Sequence, residues 1–391
     1  MRFAGIDIAS EVHVVAVVDQ DGATLVKSTS FTEDVGGYHQ LLEVLGSPEQ
    51  CLVAMEATGH YWQNLFAALT AAGFSIALIN PLRTNRFAQE DLARTKTDAI
   101  DALGIARFAQ QKQPAVTELA DTVTEELREL VRLRDKIVQD LGDATRRLHR
   151  VVDLGFPEFT RHVKTLDSEL ATSILREYPT AAAFPVVARP LAKLVYDGRH
   201  KVGTELAQQL VEAAKISVGH HHGDAYQIQV RFACEDIELQ RRRLRDLDGR
   251  IERLLKQSEV GQLLTTIPGI GPHTAARVVG EIGRFERFRS ADALAAYVGA
   301  IPSLKQSGKH KPTRAMLTTI GHARLRSALW MPVLTAVRRN PWLRAYYQRL
   351  RAAGKLPKVA LVASMRKLLH AIYSVATNRK AFVPRLAEVK P

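Results

Sequence analysis

The chain has 391 residues, 46% of them apolar and 24% charged, with a net charge of +13. This composition belongs to a folded protein of two or three domains and excludes a disordered polyelectrolyte, while two distant cysteines, Cys51 and Cys234, exclude a disulfide framework or a zinc knuckle. No window approaches eighteen consecutive apolar residues, and "MRFAGIDIASEVHVV" reads as neither a leader nor an anchor, so the expected place is the cytoplasm, associated with the nucleoid, with no membrane contact.

Residues 2–31 predict a three-stranded meander: a short strand ending near Asp7, a β-branched run from His13 to Val18, a turn at "DQDG", and a third strand. A helical pattern follows in "DVGGYHQLLEVLG", then a strand in "CLVAMEA", a helix in "YWQNLFAALTAAG" and a strand in "FSIALINP". The order β-β-β-α-β-α-β followed by helices is that of a ribonuclease H-like (RuvC-like) α/β domain, expected over residues 1–115. In "KTDAIDALGIARFA" an amphipathic helix carries Asp98 and Asp101 three apart, with Ile100, Leu103, Ile105 and Phe108 available for packing.

Two runs with apolar stripes among dense charges, 120–150 and 226–257, predict long amphipathic helices that form an antiparallel, coiled-coil-like stalk. They bracket an irregular helical insertion over 151–222, and the whole of 116–260 is expected to serve oligomerisation. The histidines His220, His221 and His222 in "GHHHGD" read as a solvated turn, since consecutive residues point in different directions and make a poor ligand set. Residues 261–391 form a third, mostly helical region.

The charge divides unevenly. Residues 1–115 hold 8 Lys and Arg against 13 Asp and Glu, 116–260 hold 23 against 24, and 261–391 hold 23 against 4. So one-sided a basic third is the footprint of a polyanion binder, because neutralising phosphates releases condensed counterions.

Three constellations carry chemistry. In a ribonuclease H-like sheet the first and fourth strands are neighbours, so Asp7 and Glu56 can face a common spot, to which a helix crossing the sheet adds Asp98 and Asp101. Four carboxylates converging without basic partners need divalent cations, and oxygen-only ligation selects Mg²⁺, or Mn²⁺, over zinc. Second, "IPGIGPHTAARVVGEIG" has a helix-hairpin-helix pattern in which Gly269 and Gly271 let backbone N–H groups approach phosphate. Third, "YVGAIPSLKQSGKHKPTR" sets Ser307 in a loop with Lys305, Lys309, Lys311 and Arg314; read from spacing alone, it is a solvated basic loop. Trp330 and Trp342 suit core positions as well as base stacking, and are left unassigned. Tyr346 and Tyr347 sit in an Arg-rich helical stretch better suited to packing than to nucleophilic attack.

In combination and order, "GIDIAS", "MEATGHYW", "KTDAIDALGIARF", "IPGIGPHTA", "YVGAIPSLKQSG" and "IGHARLRSAL" resemble the DEDD transposases of the insertion sequence 110 family, relatives of the Piv invertases, over nearly the whole length. The resemblance implies an N-terminal RuvC-like DEDD catalytic domain whose metal-binding and catalytic acids are Asp7, Glu56, Asp98 and Asp101, and a C-terminal transposase domain over 261–391. It also implies a serine nucleophile that forms a phosphoserine link to DNA; by motif position this is Ser307, with Ser303 as fallback. Further implications are double-stranded DNA partners (element ends and target), a structured guide (bridge) RNA, and a homo-oligomer, dimer or tetramer, pairing the acids of one subunit with the serine of another. Many relatives have two serines and two glycines where this chain has Gln306, Ser307, Gly308 and Lys309. The lysine that relatives carry before the glycine at 321 is absent, although Arg324 and Arg326 follow as candidate nucleic-acid contacts. Two other readings remain: a RuvC-type metal-dependent endonuclease or junction resolvase that activates water, and a non-catalytic DNA or RNA binder.

Overall fold

The computed structural model describes residues 1–90, 97–303, 316–317 and 320–384. The chain is mixed α/β and divides into two compact units, Met1–Leu119 and Ala120–Pro391.

The first unit is built on a five-stranded sheet: β1 (Arg2–Asp7), β2 (Val12–Val18), β3 (Thr24–Thr32), β4 (Cys51–Glu56) and β5 (Ser75–Ile79), in the order β3-β2-β1-β4-β5. The meander β1–β2–β3 is antiparallel, whereas β4 pairs parallel with both β1 and β5. The crossovers contain α1 (Val35–Leu45) and α2 (Trp62–Ala71), and the sheet is followed by α3 (Pro81–Glu90) and α4 (Asp98–Lys112). The predicted element order is thus the observed one. Because alternate strand residues face opposite sides, Ala4, Ile6, Val53 and Met55 enter one core with Leu41, Leu65 and Phe66, while Phe3, Leu52 and Ala54 enter a second with Ile105, Ala106 and Phe108 of α4.

On that second face α4 lies directly on β1. A Cβ built on Gly5 would stand 2.2 Å from the Ala106 nitrogen and 2.3 Å from the Ala102 carbonyl oxygen, so only glycine admits the helix. The expected packing of α4 needs one correction. Ile100 is exposed, because the buried stripe runs through Ala102, Ile105, Ala106, Phe108 and Ala109, and residue 100 falls outside that arc.

In the second unit α5 (Thr122–Gly155) and α10 (Asp224–Leu255) run antiparallel, joined by Arg134–Asp248 at 2.6 Å and Arg147–Asp236 at 2.8 Å. Between them the insertion folds as α6 (Phe159–His162), α7 (Glu169–Glu177), α8 (Arg189–Lys193) and α9 (Thr204–Lys215) around Phe156, Phe159, Ile174, Leu175 and Leu210. Cys51 and Cys234 are buried core thiols; desolvation raises them to about 11 and about 12.

The remaining elements are α11 (Glu259–Leu264), α12 (Pro272–Ile282), α13 (Ala291–Val298), the short pair β6 (Pro302–Ser303) and β7 (Met316–Leu317), α14 (Ala323–Ala328), α15 (Trp330–Arg339), α16 (Pro341–Ala352) and α17 (Pro357–Asn378). Their core is continuous with Leu127 and Val131 of α5 and with Ile251, Leu254 and Leu255 of α10. Among the described residues α17 alone is long and apolar enough to cross a bilayer. Its apolar residues Met365, Leu368, Leu369, Ile372 and Val375 are buried in this core, which accounts for its composition.

Candidate active site and nucleic-acid interface

Strand parity and register bring the two strand acids to one place. Ile6 pairs with Met55 in the parallel β1–β4 ladder, so the next residues, Asp7 and Glu56, end adjacent strands at the same edge. Both share the face of Gly5 and Ala54, which is the face covered by α4. The direction of α4 decides where its own acids fall. Near its C-terminus Gln110 Nε2 donates to the Gln20 carbonyl at 2.8 Å, in the β2–β3 turn, beside the start of β1 where Phe3 pairs with Val18. Its N-terminus therefore points to the Asp7 end. Asp98 and Asp101 occupy the first turn, with Thr97 as N-cap accepting from the Ile100 N–H. Asp7 and Glu56 thus share the C-terminal edge of β1 and β4, and the first turn of α4, where the Ala99 carbonyl accepts from Ser28 Oγ of β3 at 2.9 Å, is directed toward that end of the sheet. Asp98 is exposed; Asp7, Glu56 and Asp101 are half-buried.

Two hydrogen-bond systems brace this edge, and sequence reading missed both. The Glu56 carboxylate accepts from the Thr84 hydroxyl of α3 at 2.5 Å. His13 is fully buried, its Nε2 lying 2.7 Å from Glu33 Oε2, while its Nδ1 accepts from the Ala9 N–H at 3.2 Å. The second bond fixes the tautomer: Nδ1 accepts, so Nε2 carries the proton. It also pins the turn two residues beyond Asp7. In β2 periodicity His13 looks like one more strand residue, and only its partner Glu33, just past the end of β3, reveals its use.

The donor set is oxygen-only and acidic, which fits a hard divalent cation and does not fit zinc. Among the described residues no three His, Cys, Asp or Glu side chains stand at ion-holding distance, so Asp7 and Glu56 share an edge without forming a closed ligand shell. The His220–His222 run forms no such group either; the His220 and His221 N–H groups donate to the Leu154 carbonyl and close the insertion.

In the basic region the glycines divide by role. Gly269 has φ +104° and lies against Ala336 of α15, where a Cβ would stand 2.7 Å from the alanine Cβ; its freedom serves packing. Gly271 is the exposed N-cap of α12, with open space where a Cβ would go. The described acids of this region are engaged internally: Glu286 with Arg379 at 3.6 Å, and Asp292 with Arg366 at 2.8 Å and His370 at 3.0 Å. Glu281 is buried between Arg132 (3.0 and 2.9 Å) and His322 (3.2 Å). Burial opposes its ionisation, but the hydrogen bonds from His322 and Arg132 outweigh that and bring its carboxyl to about 2. Arg344 and Arg351 donate to the nearby Arg338 and Lys355 carbonyls, and the exposed cations Arg324, Arg338, Arg339, Lys355 and Lys358 face solvent. Arg326 differs: its Nη1 donates to the Val298 carbonyl at 3.3 Å, closing the end of α13.

The aromatic residues have structural partners. Lys367 lies over both Trp342 and Tyr346, and Tyr347 and Trp330 pack on the core. Ser303 belongs to β6, opposite Met316 of β7. Ser307, Lys305, Lys309, Lys311 and Arg314 lie outside the described residues.

The first unit carries Asp7 and Glu56 at one edge of its sheet and the second is helical with a basic end, and comparison with known proteins gives the class. Residues 4–157 match a DEDD family model described as a transposase, and residues 261–348 match the transposase family of IS116, IS110 and IS902. The chain belongs to the IS110 family of transposases. Among its relatives, a Streptomyces coelicolor mini-circle protein ascribed as the transposase for IS117 is 28% identical, covering 97% of this chain and 95% of its own. The 44.8 kDa protein of insertion element IS116 from Streptomyces clavuligerus is 26% identical over 98% and 96%. The pilin gene-inverting protein of Moraxella bovis is 25% identical over 85% and 82%.

Proposed function

We propose that this transposase is a Mg²⁺-dependent (or Mn²⁺-dependent) site-specific DNA recombinase with a RuvC-like acid site and a serine nucleophile. The observation that supports the reading is the parallel register that ends β1 and β4 on Asp7 and Glu56 at one sheet edge, with the first turn of α4, which carries Asp98 and Asp101, directed toward that end. Like charges at one edge are stabilised by a divalent cation, which supplies electrostatic neutralisation of phosphate oxygens when bound. The relative named for inverting a pilin gene supports cutting and rejoining at defined sites.

In this reading Ser307 Oγ attacks a DNA phosphorus. The Oγ–P bond forms as a phosphorus–oxygen bond to the sugar breaks; the serine proton is lost to a base or to solvent, and the sugar oxygen takes one up. Attack by the new partner's sugar hydroxyl on the phosphoserine reverses these exchanges, so rejoining consumes no further reagent. The turn at Gly269–Gly271, as a helix-hairpin-helix, and Arg324 contact the phosphate backbone, with Lys305, Lys309, Lys311 and Arg314 beside the serine. A structured bridge RNA selects target and donor, and the active form is a homo-oligomer, dimer or tetramer, assembled through the α5–α10 stalk.

The test is a covalent adduct between the full chain and element-end DNA in Mg²⁺, trapped by denaturation. Adduct from wild type, none from Ser307→Ala, and loss of recombination in Asp98→Asn are expected. An adduct that persists in Ser307→Ala and disappears in Ser303→Ala moves the nucleophile to Ser303. Cleavage without any adduct favours the water-activating endonuclease, and intact recombination in Asp98→Asn removes the acid site. Co-purification of a defined RNA tests guidance.

A further inference from the structure

We infer that Thr84 is a positioning residue that sets how Glu56 presents itself to a cation, and thereby sets which cation the acid edge prefers; this rests on the acid-site reading proposed above. Thr84 is 7% exposed and sits in the first turn of α3. Its one hydroxyl proton has two acceptors within reach, Glu56 Oε1 at 2.5 Å and the Pro81 carbonyl at 3.0 Å, and the shorter contact goes to the charged oxygen. That bond has two consequences for Glu56. It restrains the carboxylate about its last torsion, and it occupies one lone pair of Oε1, leaving Oε2 the less encumbered oxygen for an ion.

The helix that carries Thr84 is itself tied to the helix that carries the other acids. One turn on, Phe87 meets Phe108 of α4 edge-on at 5.5 Å, and the Arg83 guanidinium lies 5.2 Å from the centre of the same Phe108 ring. The α3 helix therefore bridges the Glu56 carboxylate and the body of α4, so a shift of one is felt at the other.

Denticity is where small and large divalent ions part. Mg²⁺ demands near-ideal octahedral geometry and takes a carboxylate through one oxygen, whereas Ca²⁺ accepts two oxygens of one carboxylate in a looser shell. A Glu56 that offers Oε2 ahead of Oε1 suits Mg²⁺ and Mn²⁺ and penalises Ca²⁺. Removing the Thr84 hydroxyl frees Oε1, and the preference narrows.

The experiment is calorimetric titration of the full chain with MgCl₂ and with CaCl₂, in wild type, Thr84→Val, Thr84→Ser and Glu56→Gln, with a thermal melt of each. Losing a hydrogen bond that orients a ligand weakens metal binding by about ten- to hundredfold. Thr84→Val is expected to lose about tenfold or more in Mg²⁺ affinity while Ca²⁺ affinity holds or rises, and Thr84→Ser is expected to keep the wild-type ratio. An unchanged Mg²⁺/Ca²⁺ ratio in Thr84→Val, or in Thr84→Ala should valine disturb folding, overturns the inference. Wild-type ion binding that Glu56→Gln leaves untouched overturns the acid-site reading itself, so the two failures are distinct.

Discussion

Arg132 grips Glu281 through two parallel hydrogen bonds, Nε to Oε1 at 3.0 Å and Nη2 to Oε2 at 2.9 Å, across 149 positions of sequence. The carboxylate is 3% exposed and takes a third contact from His322, whose Nδ1 accepts from the Leu325 N–H and so caps α14. One buried charge thus joins α5, α12 and the start of α14.

Replacing Arg132 by Met leaves that carboxylate buried with only His322 beside it. Breaking a buried pair on one side costs about 3–5 kcal/mol, and the partial exposure of Arg132 places the expected loss near the lower figure. Urea unfolding measures it, and Arg132→Lys, which lacks the planar fork, should recover less than half.

The same carboxyl makes stability depend on acid. Its folded value, about 2, lies below its ordinary value of 4.5, so its contribution is complete above about 4.5 and is lost as the pH falls toward 2. Melting temperatures between pH 5 and pH 2 should fall less steeply in Glu281→Gln than in wild type; equal slopes in the two proteins would contradict the assignment.

Gly5→Ala forces a methyl into the backbone of α4 at Ala102 and Ala106. Overpacking against main chain costs about 3 kcal/mol, at the upper end of such changes, because neither a β-strand nor a helix backbone can step aside. Loss of cooperative melting in the N-terminal unit is the expected result, and Gly22→Ala, in a turn with open space, serves as the milder control.

The two glycines of the α11–α12 turn should separate in effect. Gly269→Ala meets Ala336 and an unfavourable positive φ, so stability should fall by about 2 kcal/mol or more. Gly271→Ala has room and an ordinary φ, and should leave the melting temperature within about 2 °C. If DNA affinity nevertheless falls in Gly271→Ala, the exposed turn is in contact with the backbone of the nucleic acid.

Arg324 and Arg326, two apart on α14, are expected to differ in the same way. Arg324→Ala should weaken DNA binding and reduce the slope of log K against log salt by about 1. Arg326→Ala should act first on stability, since its guanidinium bonds the Val298 carbonyl. A filter-binding salt series alongside thermal melts distinguishes the two.

Local pattern made the first unit readable. The β-branched run "HVVAVV", the apolar run "CLVAMEA" and the glycine and proline stops encode each strand separately, and an acid at a strand's end is visible as a letter. Ile100 is exposed although the helix pattern offers it for packing, because the apolar arc of an amphipathic sequence can be wider than the arc its neighbour covers. What pattern cannot encode is a bond between distant letters. Thr84 lies 28 positions from Glu56, and Glu281 lies 149 from Arg132. The conformational freedom of Gly269 is legible in the sequence, while the methyl of Ala336 against which it packs is not.

The insertion leaves α5 after Gly155 and returns to α10 at Asp224, and its way out touches its way back. The Leu154 carbonyl takes the His220 and His221 N–H groups, and a Cβ on Gly219 would stand 2.6 Å from the Gly155 carbonyl carbon. Such a join behaves as a socket: what is plugged in between can be trimmed, enlarged or exchanged by recombination of coding segments while the two helices keep their register.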